Sequence, residues 1–509
     1  MFDRSAIRIG DCATLGKSRI DQHMDLVAST FLKSGLMSLP PEAFKPMGED
    51  EPSLPAEMHS DLDGPELSES HRYVGVMIAR LMKHAAEQVE NKLLALRDTR
   101  GEPRVEIAAY LDGCLESHVR DVKSLAGQIA PMHPDCKISV CIPVAAHEEG
   151  KYIYQTLLNF HRQNLSQSSY EVLVFNNHPQ MGDPEVVART SQTFREIERF
   201  EKNHPDSNVR VMYAEFEKRD ARIGHIRKML TDVVLERYMQ REVYSRDHML
   251  LRADADTSGV TRNYVGNYVN MFERFPQYDA FGGSTSYPPR ELLKNPMLYV
   301  LSSFTAVLDA QLRKQGLLDR PFFGVNVAFR ASSYAMVGGY DPSRKVCEDV
   351  NIDCKIDSMR NGSKELKSFA YARSDSRLYT SPRRANFALA NGYSPIEQWS
   401  IETAPFDIEN PEVREKSIMQ RGPVQVSEPQ FQKRLDFFLR KTVRAYFKFF
   451  QVDLSCGAYE KAFDTCGIEW KKVGALRFEI LNTDRMLAKI EEFQKNGMER
   501  FYRKTGQRN

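Results

Sequence analysis

The sequence predicts an α/β fold with a mostly parallel sheet over residues 137–393, flanked by helical regions at 1–136 and 394–509. Two observations lead to this prediction. Short apolar stretches alternate with helix-patterned stretches in the central region, as expected for strands that are connected by helices. Polar residues follow several of these apolar stretches, at the edge where open α/β sheets bind ligands.

The composition limits the class of protein. In 509 residues, 70 Lys and Arg balance 69 Asp and Glu, so no broad electrostatic field attracts nucleic acid. The eight cysteines are scattered without a C-x-x-C pair, which argues against a zinc ribbon and favours a reduced compartment. The sequence shows neither an apolar run near the roughly 20 residues of a membrane span nor a signal-peptide pattern at its start. We therefore expect a cytoplasmic protein of roughly two to four domains that binds no nucleic acid.

The region 1–136 is predicted to contain helices around an exposed loop. The loop, at 37–70, is rich in proline and acidic residues, and an amphipathic helix is predicted over His71–Leu96. The Asp61–Asp63 pair in that loop has no strand before it and is interpreted as solvated surface. The segment Gly10–Ser18 resembles a phosphate-binding loop, but it has five residues between its glycines where such a loop needs four.

Two apolar strands open the central region, Ile138–Pro143 and Glu171–Phe175. His147 and Glu148 follow the first strand, where they either meet a ligand or favour the start of the next helix. Asn176 ends the second strand. There its side chain either caps a turn or hydrogen-bonds the edge of a nucleobase.

The strands Val209–Tyr213 and His248–Ala253 come next, and the second of them leads directly into Asp254 and Asp256. Strand alternation would place both carboxylates on one face, with Cα atoms about 6–7 Å apart. Two anionic oxygen donors at a strand end suit Mg²⁺ or Mn²⁺, whose remaining positions a diphosphate can fill.

Two further segments carry candidate functional groups. Glu348 and Asp349 open a helix-patterned stretch, where acids either favour the helix dipole or supply a general base. Arg383 and Arg384 follow a predicted turn, and they are either solvated or clamp phosphate oxygens.

Taken in order, these segments resemble the family 2 glycosyltransferases, which have the GT-A fold, a Rossmann-like sheet that binds nucleoside-diphosphate sugars. The resemblance covers residues 137–393, about half of the chain. Two positions depart from the family pattern, because His147 and Asn176 stand where the family has Asn and Asp. The matching segments are Ile142-Pro143 with His147-Glu148, Asn176, Ile223–Lys228, Asp254-Ala255-Asp256, Phe281-Gly282-Gly283, Gly324 with Asn326 and Arg330, Gly338–Asp341, Glu348-Asp349 and Thr380–Arg384.

The resemblance implies a role for each matching residue. Asp254 and Asp256 would bind Mn²⁺ or Mg²⁺, with water or Asp375 completing the shell. Asp349, next to Glu348, would be the catalytic base. The donor-binding residues would be Pro143, His147, Glu148, Asn176, Gly224, Arg227, Asp254, Arg383 and Arg384. Gly283, Gly324 and Asn326 would line the acceptor and sugar pocket.

The implied activity is transfer of a hexose-type sugar from a UDP- or GDP-linked donor to an acceptor hydroxyl, with inversion favoured over retention. Two alternatives stay open. One is a module that binds a nucleotide sugar without catalysis. The other is a nucleotidyltransferase of similar fold, although PVAAHEEGK after the first strand is not the Gly-rich, Arg-containing loop expected there.

The region 394–509 returns to helix. Basic residues alternate with aromatic ones over 434–450, a combination found in helices that lie on membrane surfaces. The apolar residues cover more than one face, however, which favours packing against the catalytic domain. Peripheral contact with the cytoplasmic face of a membrane and a homo-oligomer interface are the alternatives.

Overall fold

The structure of the protein is a computed structural model. It describes residues 101–179, 184–216, 222–241, 246–315, 317, 324–344, 348–360, 367–371, 376–390, 394–395, 435–444, 457–473, 478–482 and 484–506. The predicted loop at 37–70, the predicted helix His71–Leu96, the Asp61–Asp63 pair and Asp375 lie outside these ranges.

A seven-stranded sheet forms the centre of the fold, with the order β3-β2-β1-β4-β8-β6-β9. Its strands are β1 (Ile138–Ala145), β2 (Tyr170–Pro179), β3 (Val209–Phe216), β4 (Met249–Arg252), β6 (Tyr278–Gly282), β8 (Val327–Arg330) and β9 (Lys367–Tyr371). Only β8 runs antiparallel to its neighbours, β4 and β6, among the described strands of this sheet. The prediction of an α/β fold with a mostly parallel sheet is confirmed, as are the four predicted strands.

Helices cover both faces of the sheet. The helices of the region from α1 to α11 are, in chain order, α1 (Pro103–Asp112), α2 (Glu116–Ala126), α3 (Ile153–His161), α4 (Pro184–Asn203), α5 (Ile223–Met239), α6 (Tyr264–Arg274), α7 (Pro289–Lys294), α8 (Pro296–Lys314), α9 (Ala331–Met336), α10 (Glu348–Met359) and α11 (Arg383–Ala390), and those other than α7, α8 and α11 cover the sheet. The first core lies between the sheet and α1, α2, α5, α9 and α10. The second lies on the opposite face, against α3, α4 and α6. Because both faces are covered, β1 is almost wholly buried, which explains its unbroken apolar run.

A smaller sheet lies beside the carboxyl end of β4. It consists of β5 (Thr257–Val260), β10 (Arg377–Thr380) and β7 (Ser284–Ser286), with β10 in the middle. This sheet brings Thr380 and the start of α11 back to the turn between β4 and β5, although more than a hundred residues separate them in the chain.

The last part of the chain contains a helical segment at 435–444, called α12 below, then α13 (Ala458–Cys466), the hairpin β11 (Glu469–Lys472) and β12 (Phe478–Asn482), and α14 (Asp484–Thr505). Apolar residues of α7, α8 and α11 form a third core with α12, α13 and the hairpin. Leu435, Phe438, Leu439 and Val443 are buried in it, which supports the packing interpretation for residues 435–444.

The helices that precede the sheet also pack against it. Ile107 of α1 and Val122 of α2 belong to the first core. The proposed domain boundaries at 136 and 393 stay predictions. None of the described helices combines the length and the apolar character that crossing a bilayer requires.

Candidate active site

Asp254 and Asp256 lie in a turn, not on a strand. β4 ends at Arg252 and β5 begins at Thr257. The backbone N–H and the hydroxyl of Thr257 both donate to the carbonyl oxygen of Asp254, at 3.2 and 2.7 Å. The prediction that strand alternation places both carboxylates on one face is therefore wrong. The turn instead directs them to two different arginines.

Asp254 shares Arg227 with Glu348. Arg227 lies in the second turn of α5, and Glu348 is the first residue of α10. The Nη2 atom of Arg227 is 2.6 Å from Oδ1 of Asp254, and its Nε atom is 2.8 Å from Oε1 of Glu348. Burial, together with repulsion by Asp349, raises the pKa of Glu348 to about 7, although Arg227 opposes the shift.

Asp256 shares Arg383 with Glu149. Arg383 and Arg384 are the first two residues of α11. The Nη2 atom of Arg383 is 2.8 Å from Oε1 of Glu149, and the Nε atom of Arg383 is 3.5 Å from Oδ2 of Asp256. Thr380 donates a hydrogen bond of 3.2 Å to Oδ1 of Asp256. Burial raises the pKa of Asp256, and it raises that of Glu149 to about 7 against the effect of Arg383. Arg384 is exposed and acts on Asp256 only through its charge.

A third ion pair lies close to the one between Arg227 and Asp254. Arg252, the last residue of β4, donates to Oδ2 of Asp353 at 2.9 Å, and both side chains are almost completely buried. Burial raises the pKa of Asp353 to about 7, although Arg252 opposes the shift. Arg227 and Arg252 line a small cavity together with Pro143 and Tyr340.

Carboxyl groups outnumber guanidinium groups in this part of the structure. We call these groups the carboxylate cluster; among the described residues it contains Glu148, Glu149, Asp254, Asp256, Glu348, Asp349 and Asp353 against Arg227, Arg252, Arg383 and Arg384. The excess of negative charge and the hard oxygen donors fit a divalent cation such as Mg²⁺ or Mn²⁺. Asp254 and Asp256, which flank one buried alanine in the turn, are the residues that would hold it.

Asp349 is the accessible neighbour of Glu348. Its side chain is only partly buried, and Oδ1 accepts a hydrogen bond of 2.8 Å from the backbone N–H of Val350. Gly324 lies beside it, because a Cβ atom at this glycine would be 3.6 Å from Oδ2 of Asp349. Gly324 has a φ of +56°, which disfavours any larger residue. The structure thus brings together Asp349 and Gly324, which the resemblance had assigned to adjoining parts of one site.

Gly283 and Asn326 lie together, but they are used in packing. Oδ1 of Asn326 accepts hydrogen bonds of 2.6 Å from both Tyr264 and Tyr268. Its Nδ2 donates to the carbonyl oxygens of Ser284 and Ser376, at 2.8 and 3.2 Å. A Cβ at Gly283 would contact this same group of atoms. Their assignment to an acceptor or sugar pocket stays a prediction.

The other predicted donor-binding residues occupy separate places. Asn176 lies within β2, which pairs with β1 and β3, and not in a turn after it, because the strand continues to Pro179; the residue is fully buried. His147 and Glu148 follow β1, with 3.6 Å between Nε2 and Oε1. Gly224 allows the start of α5 to approach the carbonyl oxygen of Arg344, to which its own N–H donates at 3.1 Å. Contact of these residues with a donor stays a prediction.

Sequence reasoning missed Arg252 and Asp353 as members of the site, and it placed Glu149 in the loop after the first strand without giving it a role of its own. The signal for Arg252 was a charged residue at the end of the apolar stretch His248–Leu251. Asp353 is one helical turn after Asp349 in a stretch whose other residues are mainly buried. In the sequence, each of these charged residues looks like an ordinary exposed residue. Only the ion pairs that they form at the sheet edge identify them as members of the site.

Among the described residues, two further groups of side chains outside the carboxylate cluster could hold a metal ion. In the first, Cys114 and His118 approach Asp232, but the ammonium group of Lys228 already lies 2.8 Å from this carboxylate. In the second, Cys136 and His248 lie near Glu171, which Arg237 contacts at 2.7 Å. Each of these groups combines a thiol with a carboxylate that already contacts a cationic side chain, whereas the carboxylate cluster offers only the hard oxygen donors that Mg²⁺ and Mn²⁺ prefer.

Comparisons with known proteins find weak structural likeness. No protein-family model matches the chain, and a search of curated proteins finds no similar sequence. Among solved structures, the chain is similar to the mannosyltransferase PcManGT from Pyrobaculum calidifontis in complex with GDP-Man and Mn²⁺, with 14% identity, 79% of this chain and 97% of that chain covered, and a TM-score of 0.33. It is also similar to residues 1–349 of S. aureus TarS in complex with UDP-GlcNAc, with 15% identity and a TM-score of 0.28. That match covers 68% of this chain and 96% of the TarS chain.

Proposed function

We propose that the protein is a metal-dependent glycosyltransferase of the GT-A type that moves a sugar from a UDP- or GDP-linked donor to an acceptor hydroxyl. The observation that carries this proposal is the carboxylate cluster. It places two carboxylates in the turn after β4, each beside an arginine, at the same sheet edge as the accessible carboxylate of Asp349. Such a set of side chains can bind a cation and a diphosphate and can accept a proton from an acceptor hydroxyl.

Asp254 and Asp256 would hold the cation, and Arg383 would bind the diphosphate. The chemistry that Mn²⁺ or Mg²⁺ supplies when bound is neutralisation of the negative charge on the departing nucleoside diphosphate. Arg383 would add a positive charge close to the same leaving group, since it lies 3.5 Å from Asp256. Arg227 would keep Asp254 oriented from the helix side.

Asp349 would act as the general base. Its carboxylate would take the proton of the acceptor hydroxyl while the hydroxyl oxygen attacks the anomeric carbon. The bond between this carbon and the diphosphate oxygen breaks on the opposite face, so the configuration inverts. Base assistance of this kind contributes about 10²–10⁴ in rate. Glu348 is less suited to the role, because it is buried and contacts Arg227.

The experiment is a screen of UDP- and GDP-linked sugars with Mn²⁺ or Mg²⁺, in which the released nucleoside diphosphate is measured with and without a chelator. Metal-dependent release from one donor is the expected result. Binding of a nucleotide sugar without release under every metal and donor would identify a non-catalytic binding module. Release of pyrophosphate from a nucleoside triphosphate and a sugar phosphate would identify a nucleotidyltransferase.

The location and assembly of the protein also belong to this proposal. We expect it to act in the cytoplasm, where nucleotide sugars and reduced cysteines coexist. Five cysteines of the described part of the chain are free thiols, in agreement with that compartment. Whether the C-terminal helices also contact a membrane or a second copy can be measured by vesicle sedimentation and light scattering.

A further inference from the structure

The two groups that flank Asp256 are carried by elements that also contact the last part of the chain. Arg383 is the first residue of α11, and Thr380 is the last residue of β10. Neither element belongs to the seven-stranded sheet. Their positions therefore depend on what holds them from outside that sheet.

The first tie joins α11 to α8. Asn386, one turn after Arg383, accepts a hydrogen bond of 2.9 Å from Nδ2 of Asn295. Asn295 is buried, and its Oδ1 accepts from the N–H of Leu298 at 3.2 Å, so it also caps the start of α8. Ala385 and Leu389 bury the inner face of α11 in the third core. The helix that presents Arg383 is thus anchored to the third core by packing and by one partly buried hydrogen bond.

The second tie joins β10 to the end of α14. The ring of Tyr379 contacts the ring of Phe501 edge to face, with centroids 4.8 Å apart. Close by, the N–H of Arg262 donates to the carbonyl oxygen of Lys504 at 3.0 Å. Tyr379 also accepts a hydrogen bond of 3.0 Å at its carbonyl oxygen from Ser258 of β5. Phe501 therefore supports the strand whose next residue, Thr380, donates to Asp256.

We propose that Asn386 and, from the C-terminal region, Phe501 are positioning residues of the donor site, which set how tightly the nucleoside diphosphate binds. Asn386 acts through Arg383, and Phe501 acts through Thr380. This inference rests on the proposed function, because it takes the ligand of Arg383 and Asp256 to be a diphosphate with a divalent cation. It gives the C-terminal region a role that its helical pattern alone did not indicate.

The test compares two substitutions at one position. Asn386→Leu removes the acceptor of the partly buried hydrogen bond from Asn295, whereas Asn386→Asp keeps an acceptor oxygen in the same place. We expect Asn386→Leu to weaken binding of UDP or GDP with Mn²⁺ by roughly threefold to tenfold in calorimetry, the range of one neutral hydrogen bond. Asn386→Asp should stay within about twofold of the wild type. Phe501→Ala should weaken binding by a similar factor as Asn386→Leu.

Cys466→Ala is the matched control, because Cys466 is buried in the third core on α13 and belongs to neither tie. It should lower thermal stability while leaving nucleotide affinity within about twofold. Unchanged affinity in Asn386→Leu would overturn the proposal. So would an equal loss of affinity in Cys466→Ala at the same loss of stability, because general loosening would then explain both.

Failure of the proposed function would be recognised separately. If the wild type binds neither UDP nor GDP with Mn²⁺, the glycosyltransferase proposal falls. The crystal structure of Asn386→Leu then decides the positioning role. Loss of the 2.8 Å contact between Arg383 and Glu149 supports it, and retention of that contact overturns it.

Discussion

The guanidinium group of Arg227 lies 2.6 Å from the carboxylate of Asp254. The same guanidinium contacts Glu348, the residue next to Asp349. One buried side chain of α5 thus connects the turn that would hold a cation to the helix that would supply the base. Although burial opposes its charge, Asp254 and Glu348 together raise the pKa of Arg227, so it remains a cation.

Replacement of Arg227 by Met should destabilise the fold, because Asp254 and Glu348 would both lose their buried partner. We expect the free energy of unfolding in urea to fall by about 3–5 kcal/mol. Arg195→Met is the control, since Arg195 is exposed on α4, and it should change this energy by less than about 0.5 kcal/mol. Equal stability of the two variants would show that the bridge of Arg227 carries no net free energy.

Asp256→Asn should abolish metal-dependent binding of the donor and reduce transfer to below about one-hundredth of the wild-type rate. The fold should persist, because the amide oxygen still accepts from Thr380. Binding of Mn²⁺ measured by electron paramagnetic resonance, together with circular dichroism, tests both statements. Asp61→Asn, in the other D-x-D of the chain, should behave as the wild type. Full activity of Asp256→Asn would contradict the metal assignment.

Asp349→Asn should separate binding from catalysis. Because an amide cannot take the acceptor proton, we expect kcat to fall by about 10²–10⁴. The Kd for the donor should remain close to that of the wild type, since Asp349 faces Gly324 and contacts neither Arg227 nor Arg383 in the described structure. Loss of nucleotide affinity instead would make Asp349 a binding residue, and another base would be required.

The pKa of Glu348 predicts how stability depends on pH. Its carboxyl group has a pKa of about 7 in the folded protein and an ordinary value of 4.5. Between these values the folded state binds more protons than the unfolded state, so the contribution of Glu348 to stability falls as pH rises. Above about pH 7 no further loss occurs.

Glu348→Gln should remove this contribution. Urea unfolding at pH 5 and pH 8 should therefore show a smaller loss of stability on raising the pH in Glu348→Gln than in the wild type. The difference between the two proteins in this loss of stability measures how much more strongly Glu348 binds its proton in the folded state than in the unfolded state. An identical pH dependence in both proteins would show that Glu348 is ionised throughout, which close pairing with Arg227 would explain.

Gly283→Ala tests the close packing between the two sheets. A Cβ atom there would lie 2.5 Å from the carbonyl oxygen of Ser376 and 2.7 Å from Nδ2 of Asn326, so several atoms would have to move. We expect a loss of about 1–3 kcal/mol in the free energy of unfolding. Gly266→Ala is the opposite case, because the space around its Cβ is open and it lies within α6. That variant should gain about 0.5–1 kcal/mol.

The apolar runs of the sequence were sufficient to predict β1, β2 and β4, because strands buried on both faces leave a continuous apolar pattern. The edge strand β3, which is only partly buried, was predicted from the shorter stretch Val209–Tyr213. The helix that begins at Glu348 was also predicted, from its acidic first turn and its apolar spacing. The prediction for Asp254 and Asp256 succeeded in locating them at the carboxyl end of β4. It failed on their geometry, because the strand ends at Arg252 and the chain turns before Asp254.

The sequence alone determined which residue types follow which strands, and in what order. This was enough to predict an α/β fold and to propose Asp254, Asp256, Asp349 and Arg383 as site residues. The tertiary structure alone decided which charge faces which. Glu149 is 234 residues from Arg383 in the chain, and Arg252 is 101 residues from Asp353. A charged residue looks the same in sequence whether it is solvated or paired. Only burial, which removes water and requires a partner of opposite charge, distinguishes the two.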